Sequence, residues 1–270
     1  MIIIKNKAIF NPNSNKMKKI GNVLNAINEF KKNKNKNLNF LLKNRFNWMK
    51  KFIHKDDKGL EVGAGAGFSK LFIDHKNFFI SDLAEYDHLD FKNIDAQKTS
   101  FEDDSYDFVI AANMIHHVPY PIKFLNEMFR ILKPGGRLII QDAYSSVIFQ
   151  LVTIIMKHEG FDFTKDVWDE NVSMSDENDK WSGNIAVTNL IFDNVEKFND
   201  KFEDKFSIHH QKFYECFIFL NSGGVSSKTI YIPLNNFFLK ILNFVDTILI
   251  KFFPNIFAMG RQIVLKKNNL

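Results

Sequence analysis

Leu60-Glu61-Val62-Gly63-Ala64-Gly65-Ala66-Gly67-Phe68 is a short apolar run with one acid, leading into three glycines on alternate positions. Glycine lets a chain turn sharply and brings backbone against a ligand, because no Cβ stands in the way. A side chain at 63 or 65 would fill that space. The stretch therefore reads as a strand, a loop that cradles a nucleoside cofactor, and a helix opening near Phe68 whose free N–H groups face the loop. A dinucleotide fingerprint requires G-x-G-x-x-G. Here position 68 is Phe68 and the third glycine arrives one residue early, which disfavours hydride chemistry with a nicotinamide. The plainer alternative is a tight strand-to-helix connection with no ligand.

Working outward, Asn77-Phe78-Phe79-Ile80-Ser81-Asp82-Leu83 is a second strand-like run closed by an acid. It lies about 20 residues past the loop, where a doubly wound sheet places its ribose-binding carboxylate. Two further stretches follow, Ile94-Asp95-Ala96-Gln97 and Phe101 to Asn113. Then Phe129-Arg130-Ile131-Leu132-Lys133-Pro134-Gly135-Gly136-Arg137-Leu138-Ile139-Ile140 reads as a helix, a Pro-Gly-Gly reversal and a strand.

Taken in this order, the four stretches resemble the class I S-adenosylmethionine-dependent methyltransferases, in their type 11 domain group. The resemblance spans residues 58 to 143 and implies that Ile94 to Gln97 is the third strand and Phe101 to Asn113 an acidic loop and the fourth strand. It implies an α/β fold: a doubly wound, mostly parallel, seven-stranded Rossmann-like sheet with an antiparallel last strand and a helical cap. It implies S-adenosylmethionine as cofactor, held by Glu61, Gly63, Gly65, Gly67, Asp82, Leu83, Asp95, Ala96 and Asn113. In the family the acid carried over onto Asp95 accepts from the adenine amino group, with Ala96 supplying a backbone contact. For Asp82 and Asp95 the bland readings are a strand-end aspartate and a solvated loop acid.

The chain has 270 residues, 45% of them hydrophobic, enough for one large core with an added cap. A single cysteine, Cys216, forms no internal disulfide, and no run resembles a signal peptide or a transmembrane helix. A cytoplasmic protein is expected, with a peripheral place at the inner face of a membrane as the alternative. Met1 to Asp57 carries 14 Lys/Arg against 3 Asp/Glu, a net +11, and the rest carries 22 against 28, a net −6. We divide the chain accordingly into a basic helical cap, 1–57, and a methyltransferase domain, 58–270, with insertions at 144–205 and 221–259. The run Lys31 to Asn37 reads as a solvated loop. Beyond it Leu38, Phe40, Leu41, Leu42, Phe46, Trp48, Met49, Phe52 and Ile53 recur at helical spacing, which suggests a helix laid against the core. The basic segment lacks the arginine and aromatic interleaving of an RNA platform, so nucleic acid is not the favoured partner.

Residues 144–205 occupy the place where this fold adds substrate contacts. Their order of His158-Glu159-Gly160-Phe161-Asp162, Trp168 and Trp181-Ser182-Gly183-Asn184 resembles, more loosely, bacterial methyltransferases of surface-polysaccharide loci. His158, Glu159, Trp181 and Asn184 are the candidate acceptor-binding residues, since indole and amide groups suit sugar rings. Phe206 to Leu220 and Gly260 to Lys267 read as the final strands. Between them, 237–253 is an apolar helix with a narrow polar stripe of Lys240, Asn243, Asp246, Thr247 and Lys251. Burial of its wide apolar face is the expectation, with contact to a membrane surface as the alternative.

The chemistry narrows by what is missing. No Asn/Asp-Pro-Pro-Tyr element follows the fourth strand, which disfavours methylation of adenine or glutamine amides. Cys216 is placed on a late strand, away from the loops, which disfavours cysteine-dependent methylation of cytosine carbon. Displacement on a sulfonium methyl by an oxygen of a small molecule or glycan remains. A hydroxyl must lose its proton, and His116 and His117 are the candidate bases. With Asn113 they stand at i, i+3 and i+4 and share one face of a helical turn, but no metal is assigned. The alternatives are an RNA methyltransferase using the basic segment, and a non-catalytic S-adenosylmethionine-binding subunit.

Overall fold

The computed structural model describes residues 9–14, 22–33, 35–157, 159–226 and 228–269. Six strands form one sheet: β1 (Gly59–Val62), β2 (Phe78–Ile80), β3 (Tyr106–Ala112), β4 (Leu132–Ala143), β5 (Phe206–Tyr214) and β6 (Gly260–Lys267). Their spatial order is β2-β1-β3-β4-β6-β5. β1 pairs in parallel with β2 and β3, β3 pairs in parallel with β4, and β6 runs antiparallel between β4 and β5. This is the class I methyltransferase Rossmann-like sheet with six strands rather than seven.

Alternation along the strands feeds two layers. Val109, Ala111, Leu138 and Ile140 meet α3 (Pro121–Ile131), α5 (Val187–Phe192) and α6 (Val195–Phe202) on one face. Phe108, Ile110, Ile139 and Val264 face the other way, onto Leu38, Leu41, Leu42 and Phe46 of α2 (Lys36–Asn47). The amino-terminal helices are thus packed into the core. The run Lys31 to Asn37 is a junction: α1 (Val23–Asn33) ends within it, and Asn35 caps α2 by accepting from the Asn37 and Leu38 N–H groups.

Four expectations need correction. The stretch Ile94 to Gln97 is not a strand, because the Asp95 side chain turns back to accept from the Gln97 N–H at 2.9 Å. Such a local bond competes with a sheet ladder, and so the seventh strand is missing. The helix after the glycine loop is only one 3-10 turn, Phe68–Leu71, so it offers no sustained helix dipole. The strand from Phe206 stops at Tyr214. Asp246 then accepts from the N–H groups of Cys216, Phe217 and Ile218 at 2.9–3.0 Å and starts the short helix α7 (Phe217–Leu220). Cys216 therefore lies off the sheet, fully buried.

The fourth correction concerns α8 (Asn236–Phe252), whose apolar face points outward. Two residues of its polar stripe turn inward beside the buried Leu239 and Ile250: Asp246 is buried and Asn243 accepts from the Asn44 amide at 3.1 Å, while Lys240, Thr247 and Lys251 are exposed. Phe237, Phe238, Ile241, Phe244, Ile248 and Phe252 are exposed, Phe237 by 67%. α4 (Val147–Met156) is inverted in the same way, burying Gln150 and Thr153 while Leu151, Ile155 and Met156 face out.

Candidate functional site

The site lies at the carboxyl ends of β1, β3 and β4, where the strand order reverses and open α/β sheets bind ligands. Glu61 lies within β1 and Gly63, Gly65 and Gly67 follow it, all three with left-handed backbone, φ +65°, +51° and +64°. A Cβ at Gly63 would stand 2.9 Å from the Met114 side chain, whereas one at Gly65 would meet nothing within 4 Å. Gly65 thus opens its backbone onto a cavity of about 880 Å³. That cavity is lined by Glu61, Gly63 and Gly65, and also by Asn113, His116, His117, Glu159 and Trp181, while Gly67 does not line it.

Glu61 is buried and receives the Ser69 hydroxyl. Burial pushes its carboxyl up to about 8, against the Ser69 hydrogen bond, and the nearby Asp82 adds to the rise. A carboxyl raised in this way contributes stability below its ordinary value of 4.5 and loses it as the pH climbs through about 8. The ligand-free protein should lose about 1.4 kcal/mol per pH unit across that window from this group. Glu61→Gln should flatten the loss, as urea unfolding at pH 5 and pH 8.5 would register. An unchanged pH slope in the variant would show that Glu61 is ionised throughout.

Asp82 holds the loop rather than lining the cavity. Its Oδ2 accepts from the Gly65 N–H at 2.8 Å and its Oδ1 from the Ala84 N–H at 2.9 Å. Leu83 is exposed, Asp95 lies on the surface and Ala96 is buried in the core, and none of the three lines the cavity. Asn113 does, with left-handed backbone at φ +54° and its N–H on the Gln141 carbonyl.

His116 and His117 sit on a 3-10 turn, Ile115–His117, just past β3. His116 Nδ1 is bonded to Asp142 Oδ1, and its Nε2 is 3.5 Å from Glu159 Oε2. Burial alone would lower His116, but the Asp142 and Glu159 carboxylates outweigh it and raise it to about 10. His117 Nδ1 is 2.9 Å from the Ser182 carbonyl, and its Nε2 is 3.8 Å from Glu159 Oε1. Burial, then the charge on His116, hold His117 below its ordinary value.

Of the acceptor candidates, Glu159 and Trp181 line the cavity, while Asn184 does not. Asn184 is buried, and its amide bridges the Asp162 and Ala186 N–H groups and the Asp162 carbonyl, so it shapes the 160–186 loop. His158 lies outside the described residues. Trp168 packs on Phe202. Burial lifts the Cys216 thiol to about 12, which leaves no thiolate nucleophile there.

Sequence reasoning missed Asp142 and the pair formed by Arg45 and Glu215. Asp142 ends the run Leu138-Ile139-Ile140-Gln141, beside the end of β3, and that strand-end position is a signal that would have found it. Arg45 and Glu215 are 170 residues apart and carry no local signal. Both are buried and line the cavity, joined by Arg45 Nε to Glu215 Oε2 at 2.9 Å.

Residues 60–140 match the family described as "Methyltransferase domain". The chain is 43% identical over 58 residues to the demethylmenaquinone methyltransferase of Clavibacter sepedonicus, 22% of this chain and 24% of that protein. It is also 43% identical over 53 residues to the ubiquinone/menaquinone biosynthesis C-methyltransferase UbiE of Brucella canis, 20% of each. The matched stretch is thus a quarter or less of these relatives. A solved S-adenosylmethionine-dependent methyltransferase from Archaeoglobus fulgidus aligns over 84% of this chain and 93% of its own, with TM-score 0.50 and 16% identity. Residues 60–140 are therefore a methyltransferase domain on the class I sheet, and S-adenosylmethionine is the cofactor of that domain. The glycine loop fits it: open backbone at Gly65 beside a buried acid offers close approach and a partner for an ammonium group.

Proposed function

We propose that this domain, completed by α1, α2 and residues 144–259, methylates an oxygen of a sugar, a lipid-carried glycan or another small hydroxylated acceptor. The observation that carries the reading is one cavity lined both by the glycine loop and by His116, His117 and Glu159. When bound, S-adenosylmethionine supplies a methyl group already activated on a sulfonium. Glu61, Gly63 and Gly65 hold the cofactor end, with Asp82 fixing the loop through the Gly65 N–H. Trp181 offers a face for a ring beside the two imidazoles. The bound cofactor would supply the methyl group to the acceptor oxygen and keep the C–S electron pair on sulfur, leaving this chain to take up the acceptor proton. The histidine cluster withdraws the proton and passes it to solvent, while the cavity aligns acceptor and donor.

The outward apolar face of α4 adjoins the cavity, since Ile155 and Met156 line it together with the exposed Ile230, and the outward face of α8 is likewise apolar. With the net +11 of residues 1–57, they suit an anionic membrane surface and an acceptor carried on a lipid. Among the described residues no helix is long and apolar enough to cross a membrane. The protein would then work at the inner face of the membrane. Co-sedimentation with vesicles containing phosphatidylglycerol should fall sharply in a Phe237→Ser, Phe244→Ser variant. Equal binding by the variant would remove the membrane from the reading.

Carbon methylation of a lipophilic ring is the second reading, from the names of the relatives, whose matched stretches are 53–58 residues long. Product mass spectrometry after incubation with labelled S-adenosylmethionine and separate sugar, lipid-linked glycan, quinol and RNA acceptors tests both. An O-methyl ether on a sugar supports the first; a C-methyl product, or label in RNA alone, overturns it. Asp82→Ala should weaken cofactor binding by about 1.5–3 kcal/mol in calorimetry, because a charge-assisted hydrogen bond to the loop is lost. A change under about 0.5 kcal/mol would exclude Asp82 from cofactor binding.

A further inference from the structure

We propose that His116, His117 and Glu159 form a site for one divalent transition-metal ion, open on the acceptor end of the cavity. One donor atom from each lies within 4.8 Å of the others, and Glu159 presents one oxygen 3.5 Å from His116 Nε2 and the other 3.8 Å from His117 Nε2. Donors about 2.0–2.2 Å from a shared ion stand roughly 3–3.6 Å apart at tetrahedral or octahedral angles. Small side-chain rotations therefore close the set.

The second observation is what holds the other nitrogen of each ring. His116 Nδ1 is bonded to the Asp142 carboxylate and His117 Nδ1 to the Ser182 carbonyl. A carbonyl only accepts, so His117 Nδ1 carries the hydrogen and its Nε2 presents the lone pair to the cluster. Metal-bound histidines are fixed in this way, by a carboxylate or a backbone carbonyl on the far nitrogen. Asp142 is itself anchored by the Ile115 and Ala143 N–H groups at 2.7 and 2.6 Å. Glu159 reaches the cluster from left-handed backbone, φ +58°, a conformation that non-glycine residues hold where the surroundings impose it. Gly183 lets the loop that supplies Ser182 pass both rings, since a Cβ there would stand 3.1 Å from each.

Two imidazoles and a carboxylate suit zinc, iron(II), manganese(II) or cobalt(II) better than magnesium, and three ligands leave coordination positions open toward the cavity. An ion there lowers the pKa of an oxygen it holds, which is how the cluster would withdraw the proton of a hydroxylated acceptor. That role rests on the methyl-transfer reading above, but the binding of metal does not.

The test is titration of chelator-treated full-length protein with Co²⁺ and Zn²⁺, without cofactor or acceptor, followed by calorimetry and the visible Co²⁺ spectrum. One ion per chain is expected. Glu159→Gln and His117→Ala should each weaken binding roughly tenfold or more, and Asp142→Asn roughly 10–100-fold through His116. Circular dichroism and S-adenosylmethionine affinity verify that each variant is folded. Wild-type binding well below one ion per chain, or folded variants that bind as the wild type does, would overturn the site. Cofactor binding without metal binding would sink the metal site and leave methyl transfer standing. Metal binding without cofactor binding would do the reverse.

Discussion

Replacing His117 by alanine is expected to cut turnover about 10²–10⁴-fold while leaving S-adenosylmethionine affinity unchanged. His117 is the more accessible of the two imidazoles, with its side chain 23% exposed against 5% for His116. Held below its ordinary value, it stays neutral and keeps a lone pair on Nε2 for a proton or an ion. Its polar partners are the Ser182 carbonyl and Glu159, whereas Glu61 and Gly65 are held by Ser69 and Asp82, so the residues assigned to the cofactor keep their contacts. Single-turnover rates with the accepted substrate, set beside calorimetric cofactor affinity, separate the two effects. Full turnover in the variant would exclude the cluster from acceptor activation. His116 is the poorer probe, because its removal leaves the buried Asp142 carboxylate without its partner and costs stability as well.

The second large effect is expected at Arg45. Burial would lower its guanidinium, but Glu215 beside it more than offsets this and keeps it charged above its ordinary range. Arg45→Met strands the Glu215 carboxylate in the core, and Glu215→Leu strands the guanidinium. Each single change should destabilise the protein by about 3–5 kcal/mol. Against a typical total of about 5–15 kcal/mol, either one brings the fold close to failure. The double variant should recover most of the loss, because two apolar side chains of similar volume leave no buried charge. Urea unfolding of all four proteins completes the cycle. Additive losses in the double variant would show that the two residues act independently.

The two residues also mark where local reading ends. Glu61, the glycine loop, the run closing on Asp82 and the Pro-Gly-Gly reversal are local patterns, since glycine permissiveness and strand alternation act over a few residues. They were enough for the parallel sheet and the cofactor end. The acceptor end is assembled from β3, β4 and two loops of the 144–205 segment, so no window of sequence contains it. His116 and His117 were visible as a pair. Their unequal character was not, because it comes from Asp142, Ser182 and Glu159, 26, 65 and 42–43 positions away.

The orientation of α8 shows the same limit. A narrow polar stripe on an apolar helix predicts the stripe outward, because exposing charge and burying hydrocarbon is the favourable arrangement for an isolated element. Asp246 reverses it. Three otherwise unpaired N–H groups at Cys216, Phe217 and Ile218 need an acceptor, and satisfying them draws Asp246 in and leaves the phenylalanines out. By itself, the sequence determined the strand-and-loop grammar that makes a methyltransferase sheet and the cofactor it holds. Only tertiary structure decided which carboxylates face the histidines, which helices turn their apolar side to solvent, and where one core accommodates a buried ion pair. Those choices rest on hydrogen-bond satisfaction and burial between residues far apart in the chain.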